Sequence, residues 1–425
     1  MPVPFGLVRF GVAPDHPEVK SVSNDFNSVL SDPRVRFIGN IEVGRDIKLT
    51  ELISYYDATV LSYGSQSERS LAIPNRNLKN IFPARSFVNW YNSHPDHQND
   101  KFELNLGETA IIIGQGNVAI DCARMLLAPN ELLSVTDISP LALDSLTKSS
   151  IKNVHLIGRR GPAQSAFTTA EFREITGIPG IDTVIDMAAV KEAETGISAM
   201  EVENNRPKKR KLALIKEIAM KPQSNTNNNE NTKKKIYFDF FLSPVEFIEN
   251  PTKPGYVEGI KFEKMKLKQI PNSLETESIG TKEYIIINGS LILESIGYRS
   301  QSIDSLLPFN SKSHVIQSKN GRVENLSRVY VSGWLKRGPT GIIGSNISDA
   351  RETVAAIVED LNKENREKIN SDEDFIEILT SRGLRIVDNE GWKKIDQYEI
   401  NTGKNENKNR YKLSNIEEML KIAKV

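Results

Sequence analysis

The stretch from Thr109 to Leu126 constrains the fold of this chain more than any other part of the sequence. Its letters, TAIIIGQGNVAIDCARML, predict a buried strand, a glycine turn and a helix. Gly114 allows a sharp turn after the strand, Gly116 lets the backbone approach a ligand closely, and Ala119 lets the helix pack near the strand. Because the amides at the start of such a helix face outward, the unit is typical of sites for a dinucleotide pyrophosphate.

The next apolar strand, Val154 to Ile157, ends in Gly158, Arg159 and Arg160. In dinucleotide sites an acidic residue at this position holds a bare ribose, whereas guanidinium groups suit a 2′-phosphate. The two arginines therefore predict an NADP(H) site. The alternative is an ordinary α/β unit with a solvated arginine pair, because short motifs also arise by chance.

Composition narrows the chemistry. Lys+Arg and Asp+Glu both total 55, so no overall charge points to nucleic acid or to an acidic membrane. The single cysteine, Cys122, excludes a disulfide framework, a Cys-x-x-Cys redox pair and a cysteine-ligated cluster. The five histidines show no metal-ligand spacing, so no metal is expected and redox chemistry would need an organic cofactor. No apolar run reaches the length of about 20 residues that a membrane span requires.

Proline and glycine positions divide the chain. A first boundary is expected near residue 70 and a second after Gly297, with an Asn/Lys-rich stretch, 221–235, predicted to be a mobile surface loop. From Arg328 a strand, a Gly/Pro turn and a helix from about Ser345 to Leu361 form a second place where a helix start would face a ligand.

Several segments, taken together, are more specific than any one glycine motif. They are Pro4–Pro17, Gly39–Asp46, Gly114–Ala119, Gly158–Pro162 and Gly333–Gly341. They resemble the mitochondrial adrenodoxin reductase family, also called ferredoxin–NADP reductase, in its animal and fungal forms. The resemblance implies an α/β fold of two doubly wound dinucleotide-binding domains of the glutathione-reductase-like type. It implies an FAD domain over 1–69 and 299–425, and an NADP domain over 70–298.

The resemblance also implies the activity: a hydride passes from NADPH to FAD, and single electrons pass to a small acidic [2Fe-2S] ferredoxin. The residues that it implies around NADP are Gly114, Gln115, Gly116 and Asn117 on the pyrophosphate, Arg159 and Arg160 on the 2′-phosphate, Glu171 beside the nicotinamide, and Gly341. The residues that it implies around FAD are Val43, Trp334, Gly341, Ile342 and Ile343. For Trp334 the alternative is a plain packing role.

Two further residues are candidates for proton chemistry. His16 lies in the segment Ala-Pro-Asp-His-Pro, and the resemblance places it near the flavin with an acid at the position of Asp121. We predict that the two form a catalytic pair that relays a proton or orients the imidazole. The alternative leaves His16 as a structural hydrogen bonder and Asp121 as a loop anchor, because hydride transfer to flavin does not itself need a base.

A basic run is the expected partner site. Arg206, Lys208, Lys209, Arg210 and Lys211 match the surface on which the family docks its acidic ferredoxin, although charge runs are often only solvated faces. No nucleic-acid partner is expected. The resemblance implies a mitochondrial matrix protein, with peripheral association at the inner membrane as one arrangement.

The start of the chain departs from the family pattern. The family has an N-terminal strand and glycine turn for the ADP half of FAD, and no such motif precedes Pro2 here. We therefore expect an FAD domain that is truncated at its N-terminus. One alternative is a flavin-free NADP(H)-binding module. Another, which shares the fold, is a reductase subunit of glutamate synthase type. The second would need cysteine-ligated clusters, which Cys122 alone does not supply.

Overall fold

The computed structural model describes residues 1–221, 233–341, 343–363 and 372–425. Most of the predicted mobile loop, residues 222–232, and the predicted FAD contact Ile342 lie outside the described residues. No helix in the described ranges is both long enough and apolar enough to cross a membrane.

The strands are β1 (Thr59–Leu61), β2 (Ser67–Glu68), β3 (Ile81–Pro83), β4 (Thr109–Ile113), β5 (Asn153–Ile157), β6 (Ile181–Ile185), β7 (Lys234–Asp239), β8 (Leu242–Glu249), β9 (Val257–Gln269), β10 (Thr276–Asn288), β11 (Leu291–Glu294), β12 (Tyr298–Arg299), β13 (Phe309–Asn310), β14 (Val315–Ile316), β15 (Ser318–Lys319), β16 (Arg322–Val323) and β17 (Val329–Val331). The helices are α1 (Gly6–Phe10), α2 (Pro17–Lys20), α3 (Val22–Leu30), α4 (Leu49–Tyr55), α5 (Ala84–Tyr91), α6 (Asn117–Leu127), α7 (Asn130–Ser134), α8 (Pro140–Thr147), α9 (Thr169–Thr176), α10 (Met187–Thr195), α11 (Ala199–Glu203), α12 (Arg206–Ala219), α13 (Trp334–Arg337), α14 (Ser345–Lys363), α15 (Asp372–Ser381), α16 (Asn389–Asn405) and α17 (Ile416–Ala423).

The larger sheet carries the predicted strand–turn–helix unit. Its strands run in the order β3, β11, β4, β5, β7, β6, and every neighbouring pair is parallel. Residues of β4 alternate between two cores: Ile112 faces a cluster that includes α6, whereas Ile111 and Ile113 face the antiparallel sheet of β8, β9 and β10. Because both faces are covered, β4 reads as a continuous apolar run. The predicted α/β class is confirmed.

A second sheet lies outside this unit. Its order is β1, β17, β16, β15, with β1 parallel to β17, and α14 packs against β17. Strands β2 and β12 pair with each other where the chain passes between the two sheets. Strands of the larger sheet fall within residues 81–294. The domain boundaries at residues 70 and 298 remain a prediction.

The beginning and the end of the chain share one small core. Val3 and Phe10 pack with Trp392, Ile395 and other apolar residues of α16 and α17. Beside this core, the guanidinium of Arg9 forms an ion pair with Glu399, whose side chain is fully buried. The N-terminal helix is therefore fixed by residues that lie nearly 400 positions later.

Candidate active site

The predicted glycine turn joins β4 to α6. Gly114 has a φ of +129°, and a Cβ at this position would lie 2.1 Å from the carbonyl oxygen of Ser295. Gly116 caps α6 with an extended backbone, and a Cβ there would meet no atom within 4 Å. Gly114 is therefore required by the fold, whereas Gly116 leaves open space in front of the helix start, where a phosphate fits.

Gln115 holds the turn in place. Its side-chain amide donates to the carbonyl oxygens of Leu156 at 2.9 Å and Asp239 at 3.0 Å. The backbone carbonyl oxygen of Gln115 accepts from the backbone amides of Ala166 and Phe167, both at 2.9 Å. The side chain of this predicted NADP contact thus fastens the ends of β5 and β7 together, while its backbone lines the turn.

A cleft of about 390 Å³ opens at the carboxyl ends of β4 and β5, and the glycine turn forms one wall. Its lining includes Gly114, Gln115, Arg159, Arg160 and Ser165. Both arginines are exposed, and neither forms an ion pair with a carboxylate among the described residues. Two uncompensated guanidinium groups at the rim fit an anionic ligand such as a 2′-phosphate.

The turn also positions the predicted nicotinamide contact. Asn117, the first residue of α6, accepts a hydrogen bond from the backbone amide of Thr168 at 2.9 Å. Thr168 caps α9 by accepting from the amide of Glu171 at 3.3 Å. Glu171 does not line the cleft itself but lies in a charged cluster behind the turn.

Arg124 is the centre of that cluster. Its guanidinium is almost fully buried and contacts Asp15 at 2.5 Å, Asp121 at 2.8 Å and Glu171 at 3.4 Å. Donor atoms of His16, Asp121 and Glu171 lie within 4.8 Å of one another, as they do in metal sites. Here Arg124 supplies the positive charge that a metal ion would bring, and we assign no metal to the cluster.

The structure brings the predicted pair His16 and Asp121 close together but gives each a different direct partner. The Nε2 atom of His16 lies 3.1 Å from a carboxylate oxygen of Glu174, whereas Asp121 accepts from Arg124. The contact with Glu174 raises the pKa of His16, and burial opposes that effect. Each residue therefore affects the protonation of the other electrostatically, either directly or by way of the charge on Arg124.

Asp121 is the most perturbed acid of the cluster. Burial raises the pKa of its carboxyl group to about 6, even though the charge of Arg124 opposes the shift. Glu171 and Asp15 add negative charge nearby. An acid that titrates near neutrality beside a histidine is able to exchange a proton within this cluster.

Three of the predicted FAD contacts, Trp334, Gly341 and Ile343, lie in the segment between β17 and α14, which forms a second glycine turn. Trp334 is half-buried and stacks on Tyr298, with ring centroids 5.6 Å apart. Gly341 has a φ of +84° and is exposed, and Ile343 is half-buried just before α14. The first turn of α14 contains no acidic residue. No carboxylate in that turn therefore offsets the positive end of the helix dipole. Val43 is half-buried on the separate loop that bridges to Ile47.

The basic run forms the first turns of α12, and the helix divides it into two faces. Arg206, Lys209 and Arg210 are exposed. Lys208 pairs with Glu201, and Lys211 donates to the carbonyl oxygen of Ser165. The predicted docking set is therefore not one continuous surface.

Sequence reasoning missed the residues at the centre of the charged cluster, Arg124 and Glu174. A signal existed, because Asp121 with Arg124 and Glu171 with Glu174 each stand three positions apart and so share a helix face. That pattern shows which side chains are neighbours on one helix. It does not show that α6 and α9 face each other.

This chain is similar in sequence to several known proteins, although a scan against models of protein families finds no match. The mitochondrial NADPH:adrenodoxin oxidoreductase of Arabidopsis thaliana is 39% identical over 434 residues, covering 100% of this chain and 88% of that protein. Its human counterpart is 39% identical over 426 residues, with 99% and 85% covered. The NADPH-ferredoxin reductase FprA of Mycobacterium leprae is 37% identical over 427 residues, with 100% and 90% covered.

A solved structure is similar throughout. Mycobacterium tuberculosis FprA in complex with NADPH superposes with a TM-score of 0.91 at 34% identity, covering 100% of this chain and 91% of that one. The two-domain dinucleotide-binding fold is thereby confirmed. The chain belongs to the family of NADPH:adrenodoxin and NADPH-ferredoxin oxidoreductases.

Proposed function

We propose that this protein binds NADPH and FAD and passes electrons from NADPH to a small acidic [2Fe-2S] ferredoxin. The observation that carries the proposal is the cleft beside the glycine turn, with the exposed guanidinium groups of Arg159 and Arg160 at its rim. Bound FAD would accept a hydride and release electrons one at a time. The names of the relatives, which contain NADPH, adrenodoxin and ferredoxin, support the same activity.

The residues fit the NADPH half of this proposal. The helix start at Gly116 has space for a pyrophosphate, and the arginine pair would bind the 2′-phosphate. Glu171 would orient the nicotinamide from the cluster behind the turn. His16 would hold a proton at Nε2, stabilised by Glu174, and Asp121 would set the charge of that site through Arg124.

The second glycine turn is the proposed flavin site. Trp334, braced by Tyr298, would shield one side of the ring, and the start of α14 near Gly341 would favour the negative charge that reduction brings. Val43, Ile342 and Ile343 are proposed as further contacts.

The direct test is purification of the full chain with FAD supplied. We expect a yellow protein that reduces a [2Fe-2S] ferredoxin when NADPH is added, and that prefers NADPH to NADH. Arg159→Ala and Arg160→Ala would each reduce that preference. A protein that takes up no flavin from excess FAD would contradict the proposal.

The ferredoxin is proposed to dock on the exposed face of α12, formed by Arg206, Lys209 and Arg210. An acidic partner would be attracted there, whereas the chain as a whole carries no net charge. The double variant Lys209→Glu with Arg210→Glu should raise the KM for ferredoxin at least about tenfold, because like charges would then repel. Unchanged kinetics with ferredoxin would place the docking site elsewhere.

We also propose a mitochondrial location, in the matrix or peripheral at the inner membrane. The plant and human relatives are named as mitochondrial, and the bacterial relatives show that the family extends beyond that organelle. Fractionation of cells that express the full-length gene product, followed by protease protection, tests the location. Recovery in the cytosol alone would contradict it.

A further inference from the structure

Helix α12 turns two of its lysines toward the interior, and within the described part of the chain only Lys208 pairs with a carboxylate. Lys208 pairs with Glu201, which is itself buried and accepts from Gln164 at 2.8 Å and Thr276 at 2.9 Å. Lys211, one turn later, is half-buried. Its ammonium donates to the carbonyl oxygen of Ser165.

Lys211 differs from Lys208 in its direct partners. Among the residues that the structure describes, no carboxylate forms an ion pair with it. Burial, together with the charges of Lys208 and Arg160, lowers the pKa of Lys211 to about 8. A half-buried cation in such surroundings is costly unless an anion joins it.

The position of Lys211 connects this unpaired charge to the coenzyme cleft. Ser165, whose carbonyl accepts from Lys211, lines the cleft together with Arg159 and Arg160. Lys211 therefore approaches from α12 the same rim that the two arginines approach from the end of β5. Arg160 is also near enough for its charge to act on the Lys211 ammonium.

We propose that Lys211 is a third cation for the 2′-phosphate of the coenzyme and contributes to the preference for NADPH over NADH. The proposal rests on the function proposed above for the cleft. It separates the basic run of α12 into an outward face for a protein partner and an inward residue that determines coenzyme specificity.

A purely structural role for Lys211 is the competing explanation. Its ammonium lies 5.5 Å from the ring centroid of Phe167, and the amide of Phe167 donates to Gln115 in the glycine turn. Lys211 would then only hold this loop against the turn. Loss of such support would weaken the binding of phosphorylated and unphosphorylated coenzymes alike.

Calorimetric titration of the full chain with NADP⁺ and with NAD⁺ separates the two roles. We expect Lys211→Met to weaken NADP⁺ roughly tenfold, the usual worth of one charge-assisted contact, and to leave NAD⁺ unchanged. Lys209→Met removes the same charge from the exposed face of the same helix and should change neither affinity. Lys211→Gln, which keeps a donor for Ser165, should reproduce the selective loss if the methionine variant folds poorly.

Equal losses for both coenzymes, or no loss for either, would overturn the inference. The pH dependence gives a second readout. Affinity of the unmodified chain for NADP⁺ should fall as pH rises from 7 to 9, because Lys211 loses its proton in that range. The charged groups that face Lys211 are Arg160 and Lys208, and Lys208 pairs with Glu201. In Lys211→Met that fall should be absent, and a fall of the same size would also overturn the inference.

The outcomes keep this inference distinct from the wider proposal. If the chain selects NADP⁺ over NAD⁺ through Lys211 but does not reduce ferredoxin, the electron-transfer proposal fails and the inference stands. If the unmodified chain shows no preference between the two coenzymes, the cofactor proposal fails and the inference fails with it.

Discussion

Two glycines of the same turn lack side chains for different reasons. At Gly114 a Cβ would meet the carbonyl of Ser295, and the backbone lies in a region that side chains rarely adopt. At Gly116 the backbone is ordinary and the space in front of it is open. The first glycine therefore serves the fold, and the second is proposed to serve the ligand.

Alanine substitutions should separate these roles. Gly114→Ala should lower the free energy of unfolding by about 2–4 kcal/mol, because backbone strain and the clash with Ser295 add together. Gly116→Ala should change it by less than about 0.5 kcal/mol and weaken NADP⁺ binding roughly tenfold. Urea unfolding and calorimetry measure the two effects. Similar stability losses for both variants would contradict the distinction.

The raised pKa of Asp121 makes a prediction about pH. Its carboxyl group titrates near 3.8 when exposed and at about 6 in the fold, so the folded chain binds the proton more tightly. Ionisation therefore costs stability as pH rises from about 4 through 6. Asp121→Asn should remove this cost, so between pH 4.5 and pH 7 the variant should gain about 2 kcal/mol relative to the unmodified chain. A constant difference in the free energy of unfolding across that range would contradict the assignment.

Among single residues, those whose role depends on neighbouring positions in the chain could be predicted best from the sequence. The turn from Gly114 to Gly116 and the arginine pair after β5 could be predicted because each depends on a few adjacent residues. Arg124 could not, because its partners come from α6, α9 and the loop before α2. Nothing in a linear sequence brings those three segments together.

Single elements show the same limit. The predicted helix from Ser345 to Leu361 is confirmed, and its described part runs from Ser345 to Lys363, because an amphipathic period is a local property. For the basic run, the charge is evident from the sequence, but which of its side chains face outward is not. Which side of α12 meets Glu201 and Ser165 depends on how the helix packs.

Helix α16 carries a buried acid whose loss should be costly. Glu399 accepts from Arg9 and Arg410 and from the backbone amide of Leu413. Glu399→Gln would remove the carboxylate that pairs with Arg9 and would leave Arg410 with Asp396 alone. We expect a loss of about 3–5 kcal/mol in the free energy of unfolding. Glu390→Gln is the matched control, because that exposed residue pairs with Lys393 on the same helix and its loss should cost less than about 1 kcal/mol. Comparable losses in urea unfolding would contradict this view of Glu399.

The molecule as a whole is neutral, with 55 basic and 55 acidic residues, so any electrostatic attraction must come from local surfaces. With NADPH saturating, raising the salt concentration should slow the reduction of an acidic ferredoxin about tenfold or more, because the exposed face of α12 is screened. Reduction of a small neutral quinone should hardly change. Equal slowing of both reactions would indicate that salt acts on the coenzyme or on the fold, not on docking.

The ion pair between Arg9 and Glu399 also has a consequence for how the chain is made. Its partners are 390 positions apart, and ribosomes add about 5–20 residues per second. For roughly 20 seconds or longer, Val3 and Phe10 have emerged while the α16 and α17 residues that will cover them do not yet exist. Biosynthesis thus opens an interval in which α1 is exposed to aggregation or to a chaperone, and translation of α16 and α17 closes it.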